Sequence, residues 1–147
     1  MRIRVGHLYP DYLNIYADRG NIAVLAERAR ARGHELVVRA IGMGDQVPAG
    51  EVDLYYVGGG QDREQALVAR DLAAKAGPLR EAVENDAAFL AVCGGYQLLG
   101  AYYRDLAGDE LPGVGILPLH TVAGERRMIG DVLHDCGWSG ETLAGIE

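Results

Sequence analysis

Two short apolar segments, residues 52–57 and 87–92, each end at glycine-containing turns that lead into a stretch with helical spacing. Residues 1–8 and 35–41 are also strand-like, and a helical pattern over residues 20–32 lies between them. Strands with little polar alternation are typical of parallel sheets covered by helices on both faces. The sequence therefore predicts an α/β fold with a mostly parallel sheet and helices on both of its faces.

The pattern predicts three more helices, over residues 62–76, 78–84 and 95–103. We expect Asp62 to be the N-terminal cap of the first of these. Only short strand-like pieces follow, at residues 114–117 and 127–133, and residues 138–147 show no closing element. We therefore expect one domain over residues 1–147 that is incomplete at its C-terminal end.

Composition narrows the class of protein. A length of 147 residues corresponds to one domain, and a formal charge of −7 gives no electrostatic footprint for nucleic acid or anionic lipid. The two cysteines form no disulfide framework, and neither a membrane-spanning apolar run nor a signal peptide is recognisable. We expect a cytoplasmic, reducing setting, in which a cysteine is free to be a thiolate.

Cys93 ends the apolar run of residues 87–92 and is followed by Gly94, Gly95 and a helix-prone stretch. This pattern indicates a nucleophile on a strand-to-helix turn, where the neighbours two positions away, Ala91 and Gly95, must be small. The start of the following helix favours a thiolate, and the Gly94 N–H is well placed to bind an oxyanion. We predict that Cys93 is a nucleophile; the alternative is a buried cysteine that only packs.

Three consecutive glycines, Gly58, Gly59 and Gly60, end the strand predicted at residues 52–57. Glycines let the backbone approach a ligand closely and turn N–H groups inward. We predict that Gly59 or Gly60 supplies a second oxyanion donor, and the alternative is an ordinary tight turn. The segment lacks the Gly-Lys-Ser/Thr ending of a phosphate loop.

A thiol nucleophile also needs a base, which is usually a histidine. His7 follows the first strand to the functional edge and could line the site, whereas His34 is expected at the opposite edge. For His120 and His134, in the glycine-rich late region, a surface or packing role is favoured. In nucleophile-elbow enzymes the histidine comes late in the chain. We therefore expect the base to lie beyond residue 147.

Four segments together resemble a known family. Residues 91–97, Ala-Val-Cys-Gly-Gly-Tyr-Gln, resemble the nucleophile segment of class I, triad-type glutamine amidotransferases. Residues 57–65 resemble the oxyanion loop of the cobyric-acid-synthase-like branch. Residues 9–21 and 127–131 are similar to the glutaminase subunits of lipid II isoglutaminyl synthases within that branch. The resemblance implies the flavodoxin-like fold of the class I glutamine amidotransferases.

The resemblance also implies a mechanism. Cys93 would attack the side-chain amide of glutamine and release ammonia, and water would hydrolyse the resulting thioester. The amides of Gly94, Gly59 and Gly60 would hold the oxyanion. Arg127 matches the substrate-binding arginine of the family, since a guanidinium suits the α-carboxylate of glutamine.

Partners and further site residues follow from the same resemblance. Gln97 matches the glutamine after the elbow and would help to hold substrate. A Mur-ligase-like partner of the MurT type would use the ammonia, with ATP and Mg²⁺, to amidate D-glutamate of lipid II. No cofactor, metal, nucleic acid or membrane insertion is expected for this chain. A group of polar residues could line either the site or the partner interface: Asp11, Asn14, Asp18 and Arg19.

Two alternatives stay open at this point. One is a cobyrinate- or cobyrate-type amidation domain, and the other is a non-catalytic subunit that serves as a scaffold. In the family, the catalytic histidine comes after a segment that resembles residues 139–147. For that reason we expect little or no glutaminase activity from the 147-residue chain itself.

Overall fold

The computed structural model describes residues 1–15, 18–126 and 129–146. A four-stranded sheet forms its centre, with the strand order β2-β1-β3-β4 and every neighbouring pair parallel. The strands are β1 (Arg2–Leu8), β2 (Glu35–Ile41), β3 (Leu54–Val57) and β4 (Ala88–Ala91). The prediction of a mostly parallel sheet is therefore confirmed.

Helices cover both faces of this sheet. They are α1 (Asp18–Ala31), α2 (Asp62–Ala74), α3 (Ala76–Glu84) and α4 (Gly94–Leu99). Successive residues of a strand point to opposite faces. Accordingly, Tyr55 packs in the buried cluster that includes Leu72 of α2, whereas the Tyr56 hydroxyl accepts a hydrogen bond from Asn21 of α1. All four parallel strands end at the same edge of the sheet, which fixes where a site can form.

Two helix predictions need correction. Asp62 is not a cap: Gln61 occupies the N-cap position of α2 without a side-chain bond, and Asp62 lies in the first turn. The helix predicted over residues 95–103 ends at Leu99, because Gly100 takes an extended conformation with φ −72° and ψ −171°. The next residues form a second sheet with the order β6-β5-β7, from β5 (Tyr102–Arg104), β6 (Glu110–Pro112) and β7 (Thr121–Val122).

The strand predicted at residues 114–117 is wrong as well. The Val114 N–H donates to the Leu98 carbonyl at 2.9 Å, and the N–H groups of Ile116 and Leu117 donate to the Leu99 carbonyl at 3.0 Å. The carbonyls at the end of a helix lack partners within the helix. This apolar segment satisfies them and covers the end of α4 instead of pairing as a strand.

The last described residues form an antiparallel hairpin of β8 (Asp131–Asp135) and β9 (Thr142–Ile146). Residues 138–147 showed no closing element in the sequence; the structure forms β9 there, paired with β8 in a two-stranded sheet separate from the central one. The strand predicted over residues 127–133 begins only at Asp131, and its first two residues lie outside the described ranges. Among the helices that the structure describes, none has the length and apolar character needed to cross a membrane.

Candidate active site

Cys93 lies just beyond the carboxyl end of β4 and is the N-cap residue of α4. Its backbone has φ 50° and ψ −116°, and the residue is exposed. A positive φ in a residue other than glycine costs on the order of 1–3 kcal/mol and occurs where surrounding packing imposes it. This geometry is the one expected of a nucleophile elbow, because it presents the thiol outward at the edge where ligands bind.

The two glycines after Cys93 touch the glycine loop (Gly58, Gly59 and Gly60) that follows β3. A Cβ atom added to Gly95 would lie 2.6 Å from the Gly58 carbonyl oxygen, and one added to Gly94 would lie 2.7 Å from that of Gly60. Both distances are shorter than real Cβ contacts allow. The turn at Cys93 and the glycine loop are thus in direct backbone contact, and only glycine fits at positions 94 and 95.

The glycine loop is also held from the side of the β1–α1 connection. The Gly59 N–H donates to Asp18 Oδ1 at 3.3 Å, and the Gly59 carbonyl accepts the Ile15 N–H at 3.1 Å. A role for Gly59 as an oxyanion donor would therefore require its bond to Asp18 to open. For Gly60 and Gly94, the oxyanion role stays a prediction.

Asp18 is fully buried and links this loop to the sheet. It accepts a hydrogen bond of 2.6 Å from the Tyr56 hydroxyl, which in turn accepts one of 2.7 Å from Asn21. Burial, assisted by the bond to Asp18, raises the pKa of Tyr56 to about 12. Tyr56 therefore acts here as a neutral donor that fixes the Asp18 carboxylate beneath the glycine loop.

Gln65, in the second turn of α2, joins the two turns from a third direction. Its Nε2 donates to the Gly60 carbonyl at 3.2 Å and to Gln97 Oε1 at 3.1 Å. Sequence reasoning did not single out Gln65, although a signal existed. The buried residues of α2 are Gln65, Val68, Ala69 and Leu72, which is the spacing of a buried helical stripe with a polar residue at its first position.

The histidines have varied surroundings. His7 is buried with its ring edge-on to Tyr56, at 5.2 Å between centroids, and burial lowers the pKa of His7. His120 stacks on Tyr102 at 4.9 Å, and His134 lies on the β8–β9 hairpin. His34 is 3.5 Å from the N-terminal amine, away from the carboxyl edge of the sheet.

Most of the remaining candidate residues lie at the edge of the site, and one, Arg127, lies outside the residues that the structure describes. Arg19 forms an ion pair of 2.6 Å with Asp11, and its N–H donates to Asn14 Oδ1 at 3.1 Å. An open cavity of about 450 Å³ lies beside them, lined by Asp11, Tyr12, Asn14, Ile15, Gln61 and Glu64. Arg127 lies outside the described residues, so its predicted contact with substrate stays a prediction.

Comparison with known proteins shows which family and which relatives this sequence is similar to. The family of CobB/CobQ-like glutamine amidotransferase domains matches residues 4–147. GatD, the subunit of lipid II isoglutaminyl synthase (glutamine-hydrolyzing) from Staphylococcus aureus, is 39% identical over 99% of this chain and 59% of its own length. GatD from Streptococcus pneumoniae is 36% identical over 99% of this chain and 56% of its own length.

A weaker similarity extends to enzymes named for corrinoid substrates. Hydrogenobyrinate a,c-diamide synthase from Brucella abortus is 36% identical over 71% of this chain and 24% of its own length. The chain thus spans less than three fifths of the GatD relatives and about a quarter of this synthase. The resemblance expected from the elbow and the glycine loop is confirmed at the level of the family.

Proposed function

The chain belongs to the CobB/CobQ-like glutamine amidotransferase domains, and on that premise we propose that it hydrolyses L-glutamine for a lipid II isoglutaminyl synthase. The single observation that carries this proposal is the backbone of Cys93, with its positive φ at the carboxyl edge of a parallel sheet. Its products would be glutamate and ammonia.

The proposed chemistry begins with attack of the Cys93 sulfur on the carboxamide carbon of glutamine. The carbonyl electrons move onto oxygen, and the N–H groups of Gly94 and Gly60 stabilise that charge. Collapse of the intermediate breaks the C–N bond and expels ammonia, and water then cleaves the thioester to glutamate. These reaction steps need one group that accepts the thiol proton and delivers it to the departing nitrogen.

Substrate binding and transfer of ammonia complete the proposal. Arg127 would bind the α-carboxylate of glutamine, and Gln97, half-buried beside the elbow, would contact the substrate. Ammonia would pass to a Mur-ligase-like partner in a heterodimer, and that partner would hold ATP and Mg²⁺ while it amidates D-glutamate of lipid II. Both subunits would work in the cytoplasm.

A cobyrinate- or cobyrate-type acceptor is the second candidate, supported by the similarity to hydrogenobyrinate a,c-diamide synthase. The GatD similarity is favoured because it extends over 99% of this chain, compared with 71% for the synthase. Purification with a Mur-ligase-like partner, as opposed to a corrinoid synthetase, distinguishes the two acceptors.

The proposed nucleophile can be tested with 6-diazo-5-oxo-L-norleucine, an electrophilic analogue of glutamine. We expect peptide mapping to show modification of Cys93 and not of Cys136, and L-glutamine to protect Cys93. Iodoacetamide, which does not resemble glutamine, controls for general thiol reactivity. Alkylation of Cys93 by iodoacetamide with none by the analogue would contradict the proposal and favour the scaffold alternative.

The steady-state rate of glutamine hydrolysis tests the same nucleophile in a second assay. Glutamate release is compared between wild type and Cys93→Ala, and equal rates would contradict the proposed role of the Cys93 thiol. Hydrolysis that the substitution abolishes would support Cys93 as the nucleophile and direct attention to His7, His120 or His134 as the base.

A further inference from the structure

Gln65 is an unusual residue to bury. Only 2% of its surface is exposed, although the side chain carries a full amide group. An amide removed from water costs about 1–3 kcal/mol unless its hydrogen bonds are replaced. The contacts of Gln65 therefore have to explain why this position in α2 is polar.

The orientation of the amide follows from its neighbours. A backbone carbonyl can only accept, so Nε2 has to face the oxygen of Gly60, at 3.2 Å. The second Nε2 hydrogen is donated to Gln97 Oε1 at 3.1 Å. One NH₂ group thereby joins the glycine loop after β3 to helix α4, which begins directly after Cys93.

The carbonyl oxygen of the same amide differs from the NH₂ group in its hydrogen bonding. Gln65 Oε1 is buried and has no hydrogen-bond partner among the described residues. An apolar side chain of similar size would fill the space without leaving this oxygen unsatisfied. Packing alone therefore does not account for a glutamine here, whereas its two donated bonds do.

We propose that Gln65 is a positioning residue: by binding the Gly60 carbonyl it fixes the glycine loop, and with it the N–H of Gly60 on the preceding peptide, in register with the Cys93 elbow for oxyanion binding. Its two donated bonds go to Gly60 and Gln97. A Cβ atom added to Gly94 would lie 2.7 Å from Gln65 Nε2, so the amide lies directly against the elbow backbone. This inference rests on the proposed glutaminase function, since it assigns the support for that function's oxyanion donors.

The test measures inactivation of the protein by 6-diazo-5-oxo-L-norleucine, separating the maximal rate, kinact, from the half-saturating concentration, KI. Removing one oxyanion donor from an enzyme lowers its rate about 10²–10³-fold. For Gln65→Met, which displaces a donor without deleting it, we expect kinact to fall at least about tenfold. KI, the rate of iodoacetamide alkylation and the thermal midpoint should change little. Gln46→Met, at an exposed glutamine in the loop between β2 and β3, is the control and should behave as wild type.

A second variant, Gln65→Glu, keeps the shape and replaces the donor with a carboxylate facing two oxygens. Its kinact relative to wild type should be low at neutral pH and should recover in acid, because a protonated carboxyl again supplies one donor. A role in packing alone predicts no such pH profile. The two variants together therefore separate positioning from stability.

Some results would overturn the role of Gln65 alone, and one would refute the proposed function. Equal kinact in wild type and both Gln65 variants overturns the inference and leaves the proposed function intact. Failure of Gln65→Met to fold, or an equal loss of iodoacetamide reactivity, also overturns it, because Gln65 would then support the fold as a whole. No reaction of the analogue with wild-type Cys93, when iodoacetamide reacts, refutes the proposed function itself.

Discussion

Replacing Gly95 with alanine tests the close contact between the elbow and the glycine loop. The added Cβ would lie 2.6 Å from the Gly58 carbonyl oxygen and 2.7 Å from that of Val57. Ordinary van der Waals contact begins at 3.4 Å, so α4 and the loop would have to separate by about 0.8 Å. Both obstructing atoms belong to the backbone of β3 and its turn, which cannot rotate away as a side chain can.

The expected magnitude combines two opposing effects. Overpacking of a tight junction costs about 1–3 kcal/mol. Alanine in a helix gains about 0.5–1 kcal/mol over glycine. We therefore expect Gly95→Ala to lower the free energy of unfolding by up to about 2.5 kcal/mol. With a urea m-value of about 2 kcal/mol per M, the unfolding midpoint should fall by up to roughly 1.2 M.

Gly20→Ala is the matched control, because Gly20 is helical in α1, an added Cβ there has nothing within 4 Å, and no proline follows it. It should leave stability unchanged or raise it. Unfolding is best followed by far-UV circular dichroism, since Trp138 is 90% exposed and its fluorescence would report little on the sheet. An unfolding midpoint for Gly95→Ala equal to or above that of Gly20→Ala would refute the close-contact reasoning.

Two further predictions concern buried charge. Because burial lowers the native pKa of His7 below its usual 6.5, the unfolded state binds this proton more strongly, and stability is lost as pH falls through the native pKa. His7→Asn should flatten the decline of the urea midpoint between about pH 7.5 and 5, and an unchanged slope would contradict this. Asp71 accepts bonds from Tyr9 and from Lys75, which is 7% exposed, so Asp71→Ala should cost about 3–5 kcal/mol by stranding a buried charge. The double variant Asp71→Leu/Lys75→Met should recover most of that loss in the same urea titration, and a single-variant cost below about 1 kcal/mol would count against the buried pair.

The features that sequence predicted well are those set by local pattern. The parallel strands follow from apolar runs, and β2 (Glu35–Ile41) has the predicted bounds. The turn at Cys93 was predictable because an apolar run, a cysteine and two glycines are adjacent in the chain. Gly33, with φ 73° after α1, likewise ends its helix as a local capping rule predicts.

The features that sequence missed depend on contacts between distant segments. Asp18 engages the Gly59 N–H across 41 positions, and no pattern within either segment indicates that the amide would be taken. The strand Thr142–Ile146 is exposed along its whole length, so it lacks the alternation of buried residues by which a strand is recognised. Residues 114–117 are apolar because they cover a helix end, which a one-dimensional pattern cannot distinguish from a strand.

The glycine loop is restrained from three directions, and this explains why a segment of three glycines can serve as a rigid element. Asp18 holds the Gly59 N–H from the β1–α1 side, Gln65 holds the Gly60 carbonyl from α2, and the Gly94–Gly95 backbone presses on the loop from α4. Oxyanion stabilisation depends on donors whose direction is fixed before the reaction begins. Here glycine supplies close approach, while side chains on other elements supply the rigidity. The reaction of Cys93 with glutamine analogues should therefore depend on Asp18 and Gln65 as well as on the thiol itself.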